Sequence, residues 1–322
     1  GTPARARFFG HSASLSRLGS GIAAPLSNAV LRSRAGRKLT GRLFGLSPRR
    51  TLPALANVPF ETWWRRRPAG GAGIHGEVVL LVDPLTNYNY PAVGQAAVEF
   101  LEAVGVRVAD AIAIDDGRAA FSKGLIGRAR QLARSAVARL TATAQAGMLV
   151  IGLEPSSTLT LRDEYFYLLP GDPRVEAIAR QTRTFEEFVC ELDDRTALQD
   201  RFTLAEQRVL LHGHCHQKAL IGTGPSRRAL SLPRGYVVEE IDSGCCGMAG
   251  SFGYEADHYE LSMKMAERRL LPAIRSADER TLIAAAGVSC RQQIADGTGR
   301  VALHPAEILR DALLHQGRRA GV

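Results

Sequence analysis

Glu77-Val78-Val79-Leu80-Leu81-Val82 runs directly into Asp83-Pro84-Leu85-Thr86, and the same succession returns as Arg208-Val209-Leu210-Leu211-His212 followed by Gly213-His214-Cys215-His216. A short apolar run without polar alternation is the pattern of a strand covered on both faces, as in a parallel sheet between layers of helix. Outward from the first run, residues 91–104 have helical periodicity, with Pro91 at the start and Gly105 just past the end. Residues 106–114 form the next apolar stretch and 124–143 a long basic-faced helix, and Gly147-Met148-Leu149-Val150-Ile151-Gly152-Leu153 reads as a buried strand. Outward from the second run, Tyr236-Val237-Val238-Glu239-Glu240-Ile241 is a strand, 257–271 a helix, and Thr281-Leu282-Ile283-Ala284-Ala285-Ala286 a third strand. This alternation predicts an α/β fold with parallel sheets covered by helices.

The two rounds read as copies of one unit, over 77–200 and 201–322. In the first, the strands lead into Asp83-Pro84-Leu85-Thr86, Asp115-Asp116-Gly117 and Pro155-Ser156-Ser157. In the second, the corresponding loops are His214-Cys215-His216-Gln217, Cys245-Cys246-Gly247 and Val288-Ser289-Cys290. Residues 1–76 precede both as a basic arm of short helices, ending in Trp63-Trp64-Arg65-Arg66-Arg67 and a Gly-rich linker.

Composition narrows the class. The chain has 322 residues, 45% hydrophobic and 6% aromatic, so its core rests on Ala, Val, Leu and Ile. No apolar run approaches the roughly 18–20 residues needed to cross a bilayer. The chain opens on Gly1 and not Met, which suggests a fragment or a processed product. Residues 1–67 hold 13 Lys or Arg against Glu61 alone, a net +12, and the remaining 28 basic and 31 acidic residues come to −3. The arm lacks the interleaved aromatics or recognition motif of a nucleic-acid binder, so no nucleic-acid partner is expected. Docking on an acidic surface of a missing portion is the expected role, and peripheral contact with an anionic membrane face stays open. Five cysteines in a chain of this length do not make a disulfide framework, which suits a reducing cytoplasm.

Four of those cysteines, Cys215, Cys245, Cys246 and Cys290, follow the C-terminal ends of predicted strands. Ligands bind at that edge of an open parallel sheet, so three loops distant in sequence should converge there. Clustered thiolates repel unless a cation neutralises them, and soft sulfur selects an iron–sulfur cluster or zinc. Adjacent Cys245 and Cys246 suit a polynuclear cluster better than one metal ion, and Gly244, Gly247 and Gly250 allow amide N–H groups to approach the sulfurs. His214 and His216, placed on one side of a strand end, read as hydrogen-bond donors to the ligands more than as ligands, and His212 belongs to the same alternation. Lys218 and Arg291 offer positive charge, though solvation explains each as well. Cys190, in Phe188-Val189-Cys190, reads as a small core residue. The run Asp163-Glu164-Tyr165-Phe166-Tyr167 reads as a helix with a buried aromatic face and no chemistry. A thiol reductase with Cys245 or Cys246 as nucleophile is a weaker alternative.

The strings His212-Gly213-His214-Cys215-His216-Gln217-Lys218, Gly244-Cys245-Cys246-Gly247-Met248-Ala249-Gly250-Ser251-Phe252-Gly253 and Ser289-Cys290-Arg291-Gln292-Gln293 resemble the signatures of the cysteine-rich CCG domain. That domain occurs in pairs in the heterodisulfide reductase and glycolate oxidase iron–sulfur subunits. The chain is more similar still to the C-terminal part of fused FAD and iron–sulfur oxidoreductases of the D-2-hydroxyglutarate and D-lactate dehydrogenase type, a likeness that extends to the arm and Gly152-Leu153-Glu154-Pro155-Ser156. The resemblance implies a cluster on Cys215, Cys245, Cys246 and Cys290, with His214, His216, Gly247 and Gln293 around them. It implies an upstream FAD domain that oxidises a 2-hydroxyacid, a ferredoxin-like relay segment, and a quinone or carrier protein as acceptor, with no substrate-oxidising residues in this chain. Gln293 stands where the full pattern has a fifth cysteine, which favours a single 4Fe–4S cluster. Asp115-Asp116-Gly117 and Ser157 replace cysteines that relatives often carry, so the first unit is expected to bind no cluster.

Overall fold

The computed structural model describes residues 2–68 and 70–314; Gly1, Ala69 and 315–322, the end of the second predicted unit, lie outside the described residues. Two four-stranded sheets, each wholly parallel, form the frame. The first consists of β1 (Glu77–Val82), β2 (Arg107–Ala113), β3 (Leu149–Gly152) and β4 (Thr182–Thr184), in the order β2-β1-β3-β4. The second consists of β5 (Gln207–Leu211), β6 (Tyr236–Glu240), β7 (Leu282–Ala284) and β8 (Ala302–Leu303), in the order β6-β5-β7-β8. The two orders coincide strand for strand, as tandem copies of one unit require.

Side-chain alternation along each strand sends successive residues to opposite faces. Val78, Leu80 and Val82 of β1 join Val209 and Leu211 of β5 in one shared core, filled by the helices Pro91–Ala103, Phe185–Thr196, Gly224–Leu230 and Pro305–Asp311. Val79 and Leu81 face the other way, under the helices Ile126–Gln145 and Pro173–Gln181. On the outer face of the second sheet, Ile283 packs with Leu270, Leu271, Ile274 and Ile294. The order of layers is helix, sheet, shared helices, sheet, helix.

Three expectations change. The helix expected over 257–271 is broken: Tyr259–Glu267 and Leu270–Arg275 are separate, with Arg269 at φ −149° and ψ −45° between them. In 163–167 the helix is Glu164–Leu168, and of its three aromatic residues it buries Tyr165, beside Glu164 and Leu168, while Phe166 and Tyr167 face solvent. The arm packs on this chain itself. Phe9 and Leu46 join the core around Cys246, Phe60 is fully buried in the shared core, and Leu46 forms an antiparallel bridge with Glu255. Arg50, 4% exposed, donates to Gly253 O at 2.9 Å and Ser262 Oγ at 3.0 Å and pairs with Asp296 at 2.9 Å. The acidic surface that receives this part of the arm is therefore the second unit's own.

Candidate metal centre

Three chain segments meet at the C-terminal edge of the second sheet. β5 ends at Leu211, His212 N–H donates to Ala284 O at 2.8 Å, and the chain turns at His214 into the helix Cys215–Leu220. This early turn ends the strand before the histidines, so His214 and His216 do not share a strand face as expected. After β6, the segment Cys245-Cys246-Gly247 bends back through Gly247 at φ +90° and Ala249 at φ +39°. A side chain at Gly247 would overlap Ser262 O, so glycine is required by space as well as by dihedral. After β7, Gly287 caps the helix Val288–Thr298, which carries Cys290 in its first turn.

The cysteines influence one another in sequence, Cys215 with Cys245, Cys245 with Cys246 and Cys246 with Cys290, and the Cys246 and Cys290 sulfurs lie within 4.8 Å of each other. None of the cysteines is in a disulfide. Cys246 and Cys290 are buried, Cys245 is half-buried and Cys215 is exposed, so one corner of the group reaches solvent. Hydrogen bonds from Cys215 and Cys246 hold Cys245 well below the usual thiol range, helped by Gly247 N–H, which donates to its Sγ at 3.3 Å. Cys290 is held low chiefly by the hydrogen bond from Cys246. The two donating thiols, Cys215 and Cys246, are raised by the same bonds.

His212, 1% exposed, joins this group: its Nδ1 meets Ser243 Oγ at 2.9 Å, and a ring nitrogen lies within 4.8 Å of the Cys246 and Cys290 sulfurs. His214 packs against Gly287, at the N-terminus of the Cys290 helix. His216 turns towards the first unit, with Nε2 3.5 Å from Glu164 Oε1, and burial depresses its basicity. Asp163, Glu164 and His216 bring ligand atoms within 4.8 Å of one another, but Arg118 already pairs with Glu164. Gln293 is fully buried and donates to Ser262 O at 3.2 Å, which ties the Cys290 helix to the helix Tyr259–Glu267. Lys218 donates to Ser243 O at 2.6 Å, and Arg291, 7% exposed, donates to the carbonyls of Ala285 and Ala286. Cys190 packs in the shared core with its Sγ 3.4 Å from Pro225 O.

The donor set fits a metal centre: Cys246, Cys290 and His212 bring ligand atoms within 4.8 Å of one another, and His212 Nε2 is buried without a hydrogen-bond partner. His212 and Glu154 are the site neighbours that sequence reasoning did not select. His212 stood in the strand-end alternation. Glu154 stood in the string Gly152-Leu153-Glu154-Pro155-Ser156, but its Oε2 accepts Val288 N–H at 2.8 Å from 134 residues away, a partner that no local spacing indicates.

The fold is that of a doubly parallel α/β chain with four cysteines gathered at one sheet edge, a set of residues that could hold a metal. No family model matches the chain. It is 28% identical over 239 residues to D-2-hydroxyglutarate dehydrogenase of Escherichia coli K12, covering 73% of this chain and 22% of that protein. It is 27% identical over 297 residues to one of the subunits of the anaerobic glycerol-3-phosphate dehydrogenase of the same organism, covering 90% of this chain and 72% of that one. Lactate utilization protein A of Exiguobacterium is 24% identical over 249 residues, covering 73% of this chain and 98% of that protein. The chain thus spans about a fifth of the D-2-hydroxyglutarate dehydrogenases it matches. Its relatives include dehydrogenases and a dehydrogenase subunit. Among the described residues no helix is long and apolar enough to cross a membrane.

Proposed function

We propose that this chain is the iron–sulfur electron-transfer segment of a flavin-dependent dehydrogenase acting on a 2-hydroxyacid, in the manner of the D-2-hydroxyglutarate, D-lactate or glycolate enzymes. The observation that carries this reading is the convergence of four cysteines from the three loops after β5, β6 and β7 at one sheet edge, with the Cys246 and Cys290 sulfurs within 4.8 Å of each other. Cys215, Cys245, Cys246 and Cys290 would hold a 4Fe–4S cluster, which supplies one-electron chemistry between a flavin and an acceptor. Gly247 N–H donates to the Cys245 sulfur, Lys218 and Arg291 contribute positive charge around the ligand loops, and the arm with Met248 and Tyr254 keeps water from the inner side. Exposed Cys215 marks the side from which an electron enters or leaves. The FAD domain and ferredoxin-like relay are partners on the same polypeptide or a separate subunit, and a quinone or carrier protein takes the electrons. Substrate oxidation is not assigned to any residue of this chain.

Metal and acid-labile sulfide analysis of the chain purified without oxygen tests the reading, with absorption and electron paramagnetic resonance spectra before and after dithionite. About four iron and four sulfide per chain are expected, lost in Cys246→Ser. A second reading, a structural zinc site, draws on the His212, Cys246 and Cys290 group. One zinc without sulfide would establish it in place of the first.

A further inference from the structure

The first unit lacks cysteines at its own sheet edge, yet it reaches into the edge of the second. Glu154 follows β3 and is 5% exposed. Its Oε1 accepts from Ser156 Oγ at 2.9 Å, and its Oε2 accepts Val288 N–H at 2.8 Å. Val288 opens the helix whose third residue is Cys290. The first-turn N–H groups of a helix have no partner within it and carry the positive end of its dipole, so a carboxylate placed there both satisfies a donor and fixes the helix terminus. Glu154 is itself held firmly. Its carbonyl accepts from Thr158 N–H and Oγ1, each at 2.9 Å, and the preceding Leu153 O is 3.0 Å from His304 Nε2 of the second unit.

We propose that Glu154 is a positioning residue for the metal centre: it fixes the Cys290 helix against the other cysteine loops, and its buried negative charge lowers the reduction potential of the cluster. The proposal rests on the iron–sulfur reading of the site. It gives the first unit a part in the redox centre without a cluster of its own. Charge near a cluster is one of the levers on its potential, and a buried charge is weakly screened.

Two substitutions in the full chain separate position from charge. Glu154→Gln keeps an oxygen to accept Val288 N–H and removes the charge. Glu154→Asp keeps the charge and is one methylene too short for the bond. Iron and sulfide are counted for each, and the midpoint potential is read from a redox titration followed by electron paramagnetic resonance. Glu154→Gln is expected to load as the parent does and to shift the one-electron equilibrium about tenfold towards the reduced form, about 59 mV upward. Glu154→Asp is expected to keep the parent potential in the molecules that load, with at least a twofold loss of iron per chain. A Glu154→Gln protein with the parent potential overturns the electrostatic role, and a fully loaded Glu154→Asp protein overturns the positioning role. A parent chain without iron and sulfide would instead remove the iron–sulfur reading itself, an outcome distinct from either.

Discussion

The C-terminal edges of the two sheets have the same backbone and opposite chemistry. Asp83 precedes the helix Pro84–Tyr88 where His214 precedes Cys215–Leu220, and Gly117 turns at φ +78° where Gly247 turns at φ +90°. Ser157 is the third residue of the helix Pro155–Thr160, as Cys290 is of Val288–Thr298. Carboxyls and a hydroxyl thus stand at one edge where thiols stand at the other. Burial, and then the charge of Asp115, pushes Asp116 up to about 7, while burial and then Glu154 push Asp83 up to about 6. A buried carboxyl can keep its proton and satisfy itself locally: Asp83 accepts from Leu85 N–H at 2.8 Å and Thr86 N–H at 3.1 Å, and Asp116 from Arg118 N–H at 2.7 Å. The first edge closes largely on itself, although Asp116 Oδ2 is left buried without a hydrogen-bond partner. The second gathers four cysteines and leaves His212 Nε2 buried without a partner, which is where the proposal places a cation.

The largest expected effect is a direct contrast between these edges. Cys290→Ser should remove most of the iron from the chain, whereas Ser157→Ala at the matching position should leave the iron content at the parent value. Equal losses in both would break the comparison and place metal-binding weight on the first edge. The contrast is measured by iron and sulfide analysis on proteins first shown to have parent-like circular dichroism.

A smaller effect concerns pH. Because the folded Asp116 carboxyl titrates at about 7 against an ordinary value of 3.8, it binds its proton more tightly when folded. Its contribution to stability is therefore complete below pH about 4 and is lost as pH rises through about 7. Asp116→Asn should flatten the part of the fall due to this residue, with a gain on the order of a few kcal/mol relative to the parent at pH 8. Denaturant midpoints measured from pH 4 to pH 8 check this. A variant that loses stability with pH as steeply as the parent would show that the Asp116 carboxyl is not held neutral.

Much of this contrast is legible in the chain. Val78 to Val82 and Val209 to Leu211 announce buried strands, and the three cysteine loops announce their own convergence because each follows such a run. β4 and β8 were not legible: Thr182–Thr184 and Ala302–Leu303 are too short for any period, and they become strands through pairing with β3 and β7. The break between Tyr259–Glu267 and Leu270–Arg275 was hidden for the opposite reason, since the helical pattern continues through Arg268-Arg269 while the backbone does not. The arm's basic charge suggested a partner elsewhere, whereas Arg50, Phe9 and Leu46 show a partner 200 residues onward in the same chain. Glu154 escaped for the same reason. A bond over 134 residues has no signature in local spacing.

The smallest effect tests whether the likeness of the two units extends to their exposed rims. Arg107 of β2 pairs with Glu77 of β1 at 2.9 Å, and Arg208 of β5 pairs with Glu239 of β6 at 3.0 Å. Both pairs join the same two strands of their sheets, with the signs exchanged, and all four side chains are roughly half exposed. At that exposure solvent and salt screen the attraction, and ordering two long side chains offsets part of it. Arg107→Ala and Arg208→Ala should each cost under about 1 kcal/mol, by nearly equal amounts, and the difference should shrink further in high salt. A markedly larger cost for Arg208→Ala would mean that the β5–β6 rim supports the metal centre, because β5 leads into the Cys215 helix and β6 into Cys245 and Cys246.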